Sequence, residues 1–414
     1  MVETVLQPFM DLSAFRKATD RLISTGERVV QEININRGAL INAVLPLSKA
    51  LIERKFVHFI GMGRSGKIAL MMGEQLKNLG FRVSYLGKTL ARRVREGDVV
   101  IAVSGSGATK TTVDYVFESL ERNALVIALT SNVHSFLGRL ADVVLQIDTK
   151  RGQSDIRDYL VDQVNGKRTP LTPMGTEFEL TTMLVGSGLI GALYNSMFEK
   201  TIPQGKAIPQ GFKYVTREMI SSARETMNLF NSPEESENVA QLIKLIQERR
   251  MSKSEYDAYN APRIFWIGAG LTDLVATMCA MRFQHLVLNV AVCFDWRFRK
   301  ENDVLILFSG SGETPYTVGF AEKARKKGIS TVAVTSYSDS SLAKKADIPL
   351  ICKGRRAKVS EFEQPIVERK IEKELFIPGF EYSSAIALDG IVAQIAKNLG
   401  IEEKEMKEHH ADIE

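Results

Sequence analysis

The sequence is poor in cysteine, has no long hydrophobic run and carries little net charge for its length. Its three cysteines, Cys279, Cys293 and Cys352, show no paired spacing and stand among apolar residues, which disfavours disulfides and a zinc site. We therefore expect no metal. Residues 1–8 lack the basic and apolar regions of a signal peptide, and the longest apolar stretch, 183–194, is too short to span a membrane. The expected location is the cytoplasm, with no membrane partner.

The formal net charge of +5 is small for 414 residues. Basic clusters occur at 91–95, 297–300 and 353–358, but no helix-turn-helix or zinc-finger pattern accompanies them, so we expect solvated segments and no nucleic-acid partner. The composition, 44% hydrophobic and 25% charged, is typical of a soluble globular protein. The length exceeds that of one ordinary hydrophobic core and favours two domains of about 200 residues.

Two segments rich in serine and glycine follow apolar runs and precede helical patterns. The first is 104–109 and the second is 309–314. At such a strand-to-helix turn, free backbone N–H groups and the helix dipole favour a phosphate, while hydroxyls add neutral donors and glycines let the backbone approach closely. A single copy is equally consistent with an ordinary turn capped by Ser or Thr. The second copy favours phosphate binding.

The order of elements repeats along the chain. Each half has helices, a strand ending in a glycine-rich turn, a Ser/Gly loop, further strands and a Phe-Glu pair at a helix start. The offsets are 268 − 61 = 207, 309 − 104 = 205 and 381 − 179 = 202. A near-constant offset indicates tandem duplication. The Pro/Gly-rich segment 201–211 predicts the boundary, with domains 1–205 and 206–414.

Strands that alternate with helices predict an α/β fold, in which a parallel sheet in each half is covered by helices on both faces. The predicted strands are 56–60, 82–86, 98–103, 124–129 and 143–147, then 263–267, 290–294, 303–308, 331–334 and 348–351. Two or three helices are expected before the first strand. Ligands bind such sheets at the carboxyl ends of the strands, where the Ser/Gly loops, Ser131 and Ser336 fall. The polar stretches 148–170 and 353–375 are expected to be exposed excursions.

The first glycine-rich turn, Gly-Met-Gly-Arg-Ser-Gly at 61–66, is followed by a helix predicted from Lys67. It is a poor dinucleotide fingerprint, because its third glycine comes too early and the next strand does not end in an acidic residue. A loop that approaches a phosphorylated ligand fits better, with Gly63, Arg64 and Ser65 in the cleft. For Arg64, an exposed loop position is an alternative.

Acidic residues stand at the start of two long apolar helices. Glu177 and Glu179 open the first, and Glu381 opens the second. The helix dipole favours acidic residues at such positions without any further role. The alternative is a general base, since partial desolvation at the start of an apolar helix raises the pKa of a carboxyl group.

With these segments in view, each half resembles a sugar isomerase (SIS) domain, and the resemblance covers nearly the whole chain. The segments 61–66, 104–107, 173–179 and 410–414 are similar to those of 6-phospho-3-hexuloisomerases. The first is also similar to arabinose-5-phosphate isomerases. The resemblance implies two tandem three-layer α/β/α domains, each with a five-stranded parallel sheet.

The resemblance also implies roles for individual residues. In SIS domains the hydroxyls of a Ser-x-Ser-Gly-x-Thr loop hold the substrate phosphate. This role would fall on Ser104, Ser106, Thr109, Ser309, Ser311 and Thr314. The isomerases act through a cis-enediol, which implies Glu179 and Glu381 as bases and no metal or organic cofactor. His410 matches the family's tail histidine. Its expected role is that of a proton relay, and the alternative is an exposed residue without a role in the reaction.

Each half departs from the family pattern at a different place. Ala108 replaces the usual Glu of the loop, which the second half keeps as Glu313. The turn Gly-Ala-Gly-Leu-Thr-Asp at 268–273 replaces the Gly-Arg-Ser-Gly sequence of the first half. Because hexuloisomerases carry one domain per chain and assemble, a tandem chain could form composite sites between its halves. A homodimer or higher homo-oligomer is expected.

Three functions follow as alternatives, each with a small phosphorylated sugar as ligand. The first is an isomerase of sugar phosphates. The second is an amino-sugar phosphate enzyme such as a glucosamine-6-phosphate deaminase. The third is a non-catalytic regulator that binds a sugar phosphate, which the departures at Ala108 and 268–273 motivate.

Overall fold

The computed structural model describes residues 10–149, 175–199, 207–250, 262–286, 288–292, 302–355, 376–402 and 405–406. Its helices are α1 Ser13–Ile35, α2 Gly38–Ile52, α3 Gly63–Asn78, α4 Lys110–Leu120, α5 Phe136–Leu140, α6 Thr176–Glu199, α7 Ala207–Leu229, α8 Pro233–Gln247, α9 Leu271–Gln284, α10 Pro315–Lys326, α11 Ser341–Lys345 and α12 Gly379–Leu399. Its strands are β1 Phe56–Gly61, β2 Arg82–Tyr85, β3 Val99–Val103, β4 Leu125–Thr130, β5 Val143–Gln146, β6 Ile264–Ile267, β7 Val290–Val292, β8 Val304–Phe308, β9 Ser330–Thr335 and β10 Ile348–Ile351.

The strands form two five-stranded sheets. Their orders are β2-β1-β3-β4-β5 and β10-β9-β8-β6-β7, so the second order, read backwards, repeats the first. Every pairing is parallel. The predicted α/β fold with a five-stranded parallel sheet in each half is confirmed. In each sheet the chain switches direction beside the first strand of its half, which is where open α/β sheets bind ligands.

The central strands are apolar throughout because both of their faces are covered. In β3, the side chains of Val99, Ile101 and Val103 join the large core, whereas Val100 and Ala102 pack on the opposite face beneath α4. The strand β8 alternates in the same way between the large core and a small cluster beneath α10.

The two halves share one hydrophobic core. The large cluster runs from α1 through both sheets to α12, and each half keeps only a small cluster of its own on the outer face of its sheet. The length of the chain suggested two separate cores instead. The helices α6 and α7 explain the difference, because they cross with their backbones in close approach. A Cβ built on Gly191 would lie 2.7 Å from the carbonyl oxygen of Gly211.

Several predicted boundaries differ from the structure. The helix α3 begins at Gly63 rather than at Lys67, so the first glycine-rich turn is largely helical. Of the predicted linker 201–211, residues 207–211 belong to α7. Pro209 is compatible with this position because the first turn of a helix needs no intrahelical N–H donor. Between residue 10 and β1, two helices are found. The domain boundary itself stays a prediction.

The sequence also predicted unpaired cysteines, no membrane-spanning segment and two exposed polar stretches. Cys279 and Cys352 are buried and unpaired, and Cys293 lies outside the described residues. Within the described part of the chain, none of the helices has the length and apolar character needed to cross a bilayer. Most of the two predicted polar excursions, at 150–170 and 356–375, also lies outside the described residues.

Candidate active site

The first Ser/Gly loop is held by its own hydroxyl groups. The Oγ of Ser104 accepts a hydrogen bond from Gly107 N at 3.1 Å and lies 3.1 Å from Thr109 Oγ1. The Oγ of Ser106 accepts a hydrogen bond from Ala108 N at 3.2 Å. A serine hydroxyl that accepts from the backbone keeps its own O–H group, which is then available to donate to a ligand.

The second loop repeats this arrangement. The Oγ of Ser309 accepts from Gly312 N at 3.1 Å and lies 2.9 Å from Thr314 Oγ1, and the Oγ of Ser311 accepts from Glu313 N at 3.2 Å. The loops differ in exposure, since Ser106 is exposed whereas Ser311 is buried. The second loop is therefore the more enclosed of the two.

One glycine in each loop is required by the backbone. Gly107 has φ +63° and Gly312 has φ +70°, in the left-handed region that other residues rarely adopt. A Cβ at either position would also collide with a serine hydroxyl group, that of Ser135 in the first loop and that of Ser340 in the second. These glycines fix the turn that presents the serines.

Three of the predicted cleft residues brace the loops. The Oγ of Ser131 donates to Gly105 O at 2.6 Å, and the backbone N–H of Ser336 donates to Gly310 O at 3.1 Å. Glu313 accepts a hydrogen bond from Ser341 N at 2.8 Å and so ties the second loop to the start of α11. Ala108 has no side-chain acceptor for such a bond, so the first loop is built without this tie.

The first turn of α3 lies beside the first loop. Gly61 pairs with Val103 across β1 and β3, and a Cβ on Gly61 would lie 3.0 Å from both Ser65 O and Val103 O. This packing puts Ser65 next to the strand end from which the Ser104 loop leaves. Gly63, at φ +53°, starts the helix, and Gly270, at φ +62°, is the N-cap of α9 in the second half.

The starts of α6 and α12 pack on the two loops through phenylalanine. A Cβ on Gly105 would lie 3.0 Å from the ring of Phe178, and one on Gly310 would lie 3.1 Å from the ring of Phe380. The next residue in each helix is the predicted base. Glu381 is 1% exposed, and the Glu179 side chain is 13% exposed. Each half thus places a glutamate directly after the phenylalanine that packs on the Ser/Gly loop, and this glutamate is buried in the second half and half-buried in the first.

In the first half, this carboxylate belongs to an ionic network that crosses between the halves. Arg64 Nη1 lies 3.1 Å from Glu179 Oε2, and Arg64 Nη2 lies 2.8 Å from Asp389 Oδ2 on α12. Arg282 on α9 lies 3.6 Å from Glu179 and 3.7 Å from Asp389, and it donates to the hydroxyl group of Thr176.

Arg64 is 6% exposed, so its interpretation as an exposed loop residue is wrong. Burial opposes its charge, but the carboxylates of Asp389 and Glu179 more than offset this effect and raise the pKa of Arg64. The guanidinium is charged at any pH at which the protein folds. The other members of the network, Asp389 and Arg282, escaped the sequence reasoning, although a charged residue within an apolar stretch of a helix was an available signal.

The offsets between the halves locate a neutral counterpart of this network. Arg282 corresponds to Gln75 (282 − 207 = 75) and Asp389 to Ser187 (389 − 202 = 187), and Gln75 Nε2 donates to Ser187 Oγ at 3.3 Å. The same helix pair therefore carries a neutral hydrogen bond in one half and a charged pair in the other.

Glu177 is tied to another helix. It forms an ion pair with Arg21 on α1, which accounts for its position at the start of α6 without a role at the loop. His410, the predicted proton relay, lies outside the described residues.

A cavity of about 230 Å³ opens at the carboxyl end of β1, next to the first turn of α3. Lys67 and Tyr85 line it from the first half, and Met281 lines it from the second. Burial lowers the pKa of Lys67, and the nearby Asp273 of α9 acts in the opposite direction. Both halves therefore contribute to the surroundings of the first glycine-rich turn.

One family model matches both halves of the chain. The SIS domain family model matches residues 50–158 and 258–365, together more than half of the chain. An uncharacterized protein from Archaeoglobus fulgidus is 34% identical over 207 residues, which are 49% of this chain and 98% of that protein. The 3-hexulose-6-phosphate isomerase of Bacillus subtilis is 33% identical over 144 residues, which are 35% of this chain and 73% of that enzyme.

Solved structures resemble the chain over nearly its whole length. The tagatose-6-phosphate ketose/aldose isomerase of Escherichia coli matches 95% of both chains with a TM-score of 0.58 and 12% identity. The C-terminal domain of glucosamine-fructose-6-phosphate aminotransferase from Francisella tularensis matches 91% of this chain and 96% of its own with a TM-score of 0.54 and 12% identity. At such identities the likeness concerns the fold alone. The duplicated sheets, the paired loops and the two family matches agree, and the chain belongs to the SIS domain family as a tandem SIS domain protein.

Proposed function

We propose that the protein is a sugar-phosphate isomerase of the 6-phospho-3-hexuloisomerase type. The observation that carries the proposal is the repeated placement of a Phe-Glu helix start against a Ser/Gly loop, at Gly105 with Phe178 and at Gly310 with Phe380. Each half thereby combines a loop of neutral hydroxyl donors, suited to a phosphate, with a glutamate that directly follows the phenylalanine packed on that loop. The relation to 3-hexulose-6-phosphate isomerase supports the choice of substrate class.

The phosphate of the sugar binds at the loop hydroxyls and the backbone N–H groups that start α4 or α10. These are Ser104, Ser106 and Thr109 in the first half, with Ser65 beside them, and Ser309, Ser311 and Thr314 in the second. Binding at the phosphate holds the carbons beside the carbonyl group against the glutamate. Such positioning converts proton abstraction into a unimolecular step.

The reaction is a proton transfer between neighbouring carbons. Glu179 or Glu381 removes the proton from the hydroxyl-bearing carbon next to the carbonyl group. The electron pair of that C–H bond forms a C=C bond, and the carbonyl oxygen takes up a proton, which gives a cis-enediol. Return of a proton to the former carbonyl carbon, with loss of the proton of the neighbouring hydroxyl group, moves the carbonyl group by one position. The sum is an isomerisation with no oxidant or reductant, and general base catalysis of this kind contributes about 10²–10⁴-fold to the rate.

A thermal-shift panel followed by product analysis tests the proposal. The panel contains phosphohexuloses, phosphopentoses and glucosamine 6-phosphate, and each stabilising compound is then incubated with the protein. An isomeric sugar phosphate is the expected product. Release of ammonia from glucosamine 6-phosphate would establish the deaminase alternative instead, and stabilisation without any turnover would establish a binding regulator.

A further inference from the structure

The second Ser/Gly loop provides neutral donors in a buried setting. Ser309 and Ser311 are 2% and 5% exposed, and the glycines between and after them are buried as well. Moving a phosphate dianion from water into such surroundings is costly unless a positive charge compensates it. The residues that build the loop contain no cation, so the charge has to come from a neighbouring element.

Arg355 is a cationic residue that packs against this loop. A Cβ built on Gly310 would lie 3.2 Å from Arg355 Cδ, so the aliphatic part of the arginine lies directly on the loop. Its guanidinium stands 4.8 Å from the centroid of the Phe376 ring, and its Nη1 lies 4.0 Å from Glu381 Oε1. The side chain is 27% exposed, so it is only partly removed from solvent.

The backbone of Arg355 is fixed on both sides. Its N–H donates to Ser336 Oγ at 3.2 Å, and its carbonyl oxygen accepts from the Tyr337 hydroxyl at 2.8 Å. Ser336 directly follows β9, the strand next to β8, from which the loop leaves. The position of Arg355 is thus set by the same strand ends that set the loop.

We propose that Arg355 is the phosphate-binding cation of the second-half site, and that its guanidinium holds the phosphate of the substrate while its stem packs on Gly310. The inference rests on the proposed function, because it names a residue for the ligand class of that site. A guanidinium offers two parallel donors to phosphate oxygens, which neutral serines cannot supply. The first half carries Lys150 at the corresponding position (355 − 205 = 150), outside the described residues.

Binding of inorganic phosphate, measured by calorimetry, tests this role without any need for turnover. The background is the full chain with Ser104→Ala and Thr109→Val, in which the first loop has lost two of its hydroxyls. In this background Arg355→Met should weaken phosphate binding about 10- to 100-fold. Arg355→Lys, which keeps the charge and the stem, should restore part of the affinity and also serves if the methionine variant fails to fold.

The matched control is Arg325→Met, which removes an exposed arginine of α10 in the same half and should leave phosphate affinity unchanged. Phosphate binding that is insensitive to both substitutions of Arg355 would overturn the inference and leave the proposed function standing. A background that binds no phosphate would overturn the inference and the phosphate cradle together.

Discussion

Arg64 and Asp389 lie 325 residues apart in the sequence, and their side chains form a 2.8 Å ion pair that joins α3 of the first half to α12 of the second. The pair is buried. Together with Glu179 and Arg282 it forms a network of two positive and two negative charges. One end of this network is a predicted base. The relative placement of the halves and the orientation of the carboxylate at the first loop therefore depend on each other.

Breaking this pair should destabilise the protein strongly. Asp389→Asn leaves two buried guanidinium groups with one carboxylate, and we expect a loss of about 3–5 kcal/mol in the free energy of unfolding, measured in urea. The double variant Arg64→Met with Asp389→Leu keeps the charges balanced and should cost less than the sum of the single changes. The control is Arg224→Ala, since the ion pair of Arg224 with Glu27 also joins the halves but is exposed. This substitution should lower the free energy of unfolding by about 1 kcal/mol or less. Equal losses at both sites would contradict the account.

Gly312 should not tolerate a side chain. Gly312→Ala places a Cβ at φ +70° and against Ser340 Oγ, so we expect a loss of at least about 1–2 kcal/mol in stability and loss of phosphate binding at the second loop. Gly319→Ala in α10 is the matched control. A Cβ there meets open space, and the substitution should stabilise the helix by about 0.5–1 kcal/mol. A Gly312→Ala protein with unchanged stability and phosphate affinity would show that the loop geometry is not required.

The buried His58 should make stability depend on pH. Burial lowers its pKa from the usual 6.5, against the opposing effect of Asp98, whose carboxylate lies 3.0 Å from His58 Nε2. Below pH 6.5 the unfolded chain binds a proton that the folded chain resists, so stability is full above this pH and falls as the pH drops towards the folded-state pKa.

The substitution His58→Phe isolates this effect. Phe265 occupies the corresponding position of the second half (265 − 58 = 207) and is buried there, which shows that phenylalanine fits such a site. We expect urea unfolding at pH 8 and pH 5.5 to differ less for His58→Phe than for the wild type. Replacement of the exposed His134 by glutamine should leave the pH dependence as it is. An unchanged difference in His58→Phe would mean that His58 is protonated equally in both states.

The parts of the structure that local sequence encodes were predictable. The strands, the paired Ser/Gly loops and the acidic helix starts each depend on a few neighbouring residues, and their near-constant offsets revealed the duplication. The ionic network was not predictable, because Arg64 and Asp389 meet only after both halves have folded. The position of Arg355 was not predictable either. In the sequence it belongs to a basic cluster that was expected to be solvated, and its packing on Gly310 depends on contacts with residues at the end of β9.

The account of the active site is tested most directly by the rate at which the purified chain interconverts 3-hexulose and 2-hexulose 6-phosphates, compared with its Glu179→Gln, Glu381→Gln double variant. Stabilisation by inorganic phosphate serves as the check that both proteins keep their loops. We predict that the wild type catalyses the conversion and that the double variant is slower by about 10²–10⁴-fold. A wild type without isomerase activity, or a double variant that keeps the full rate, would contradict the proposed function.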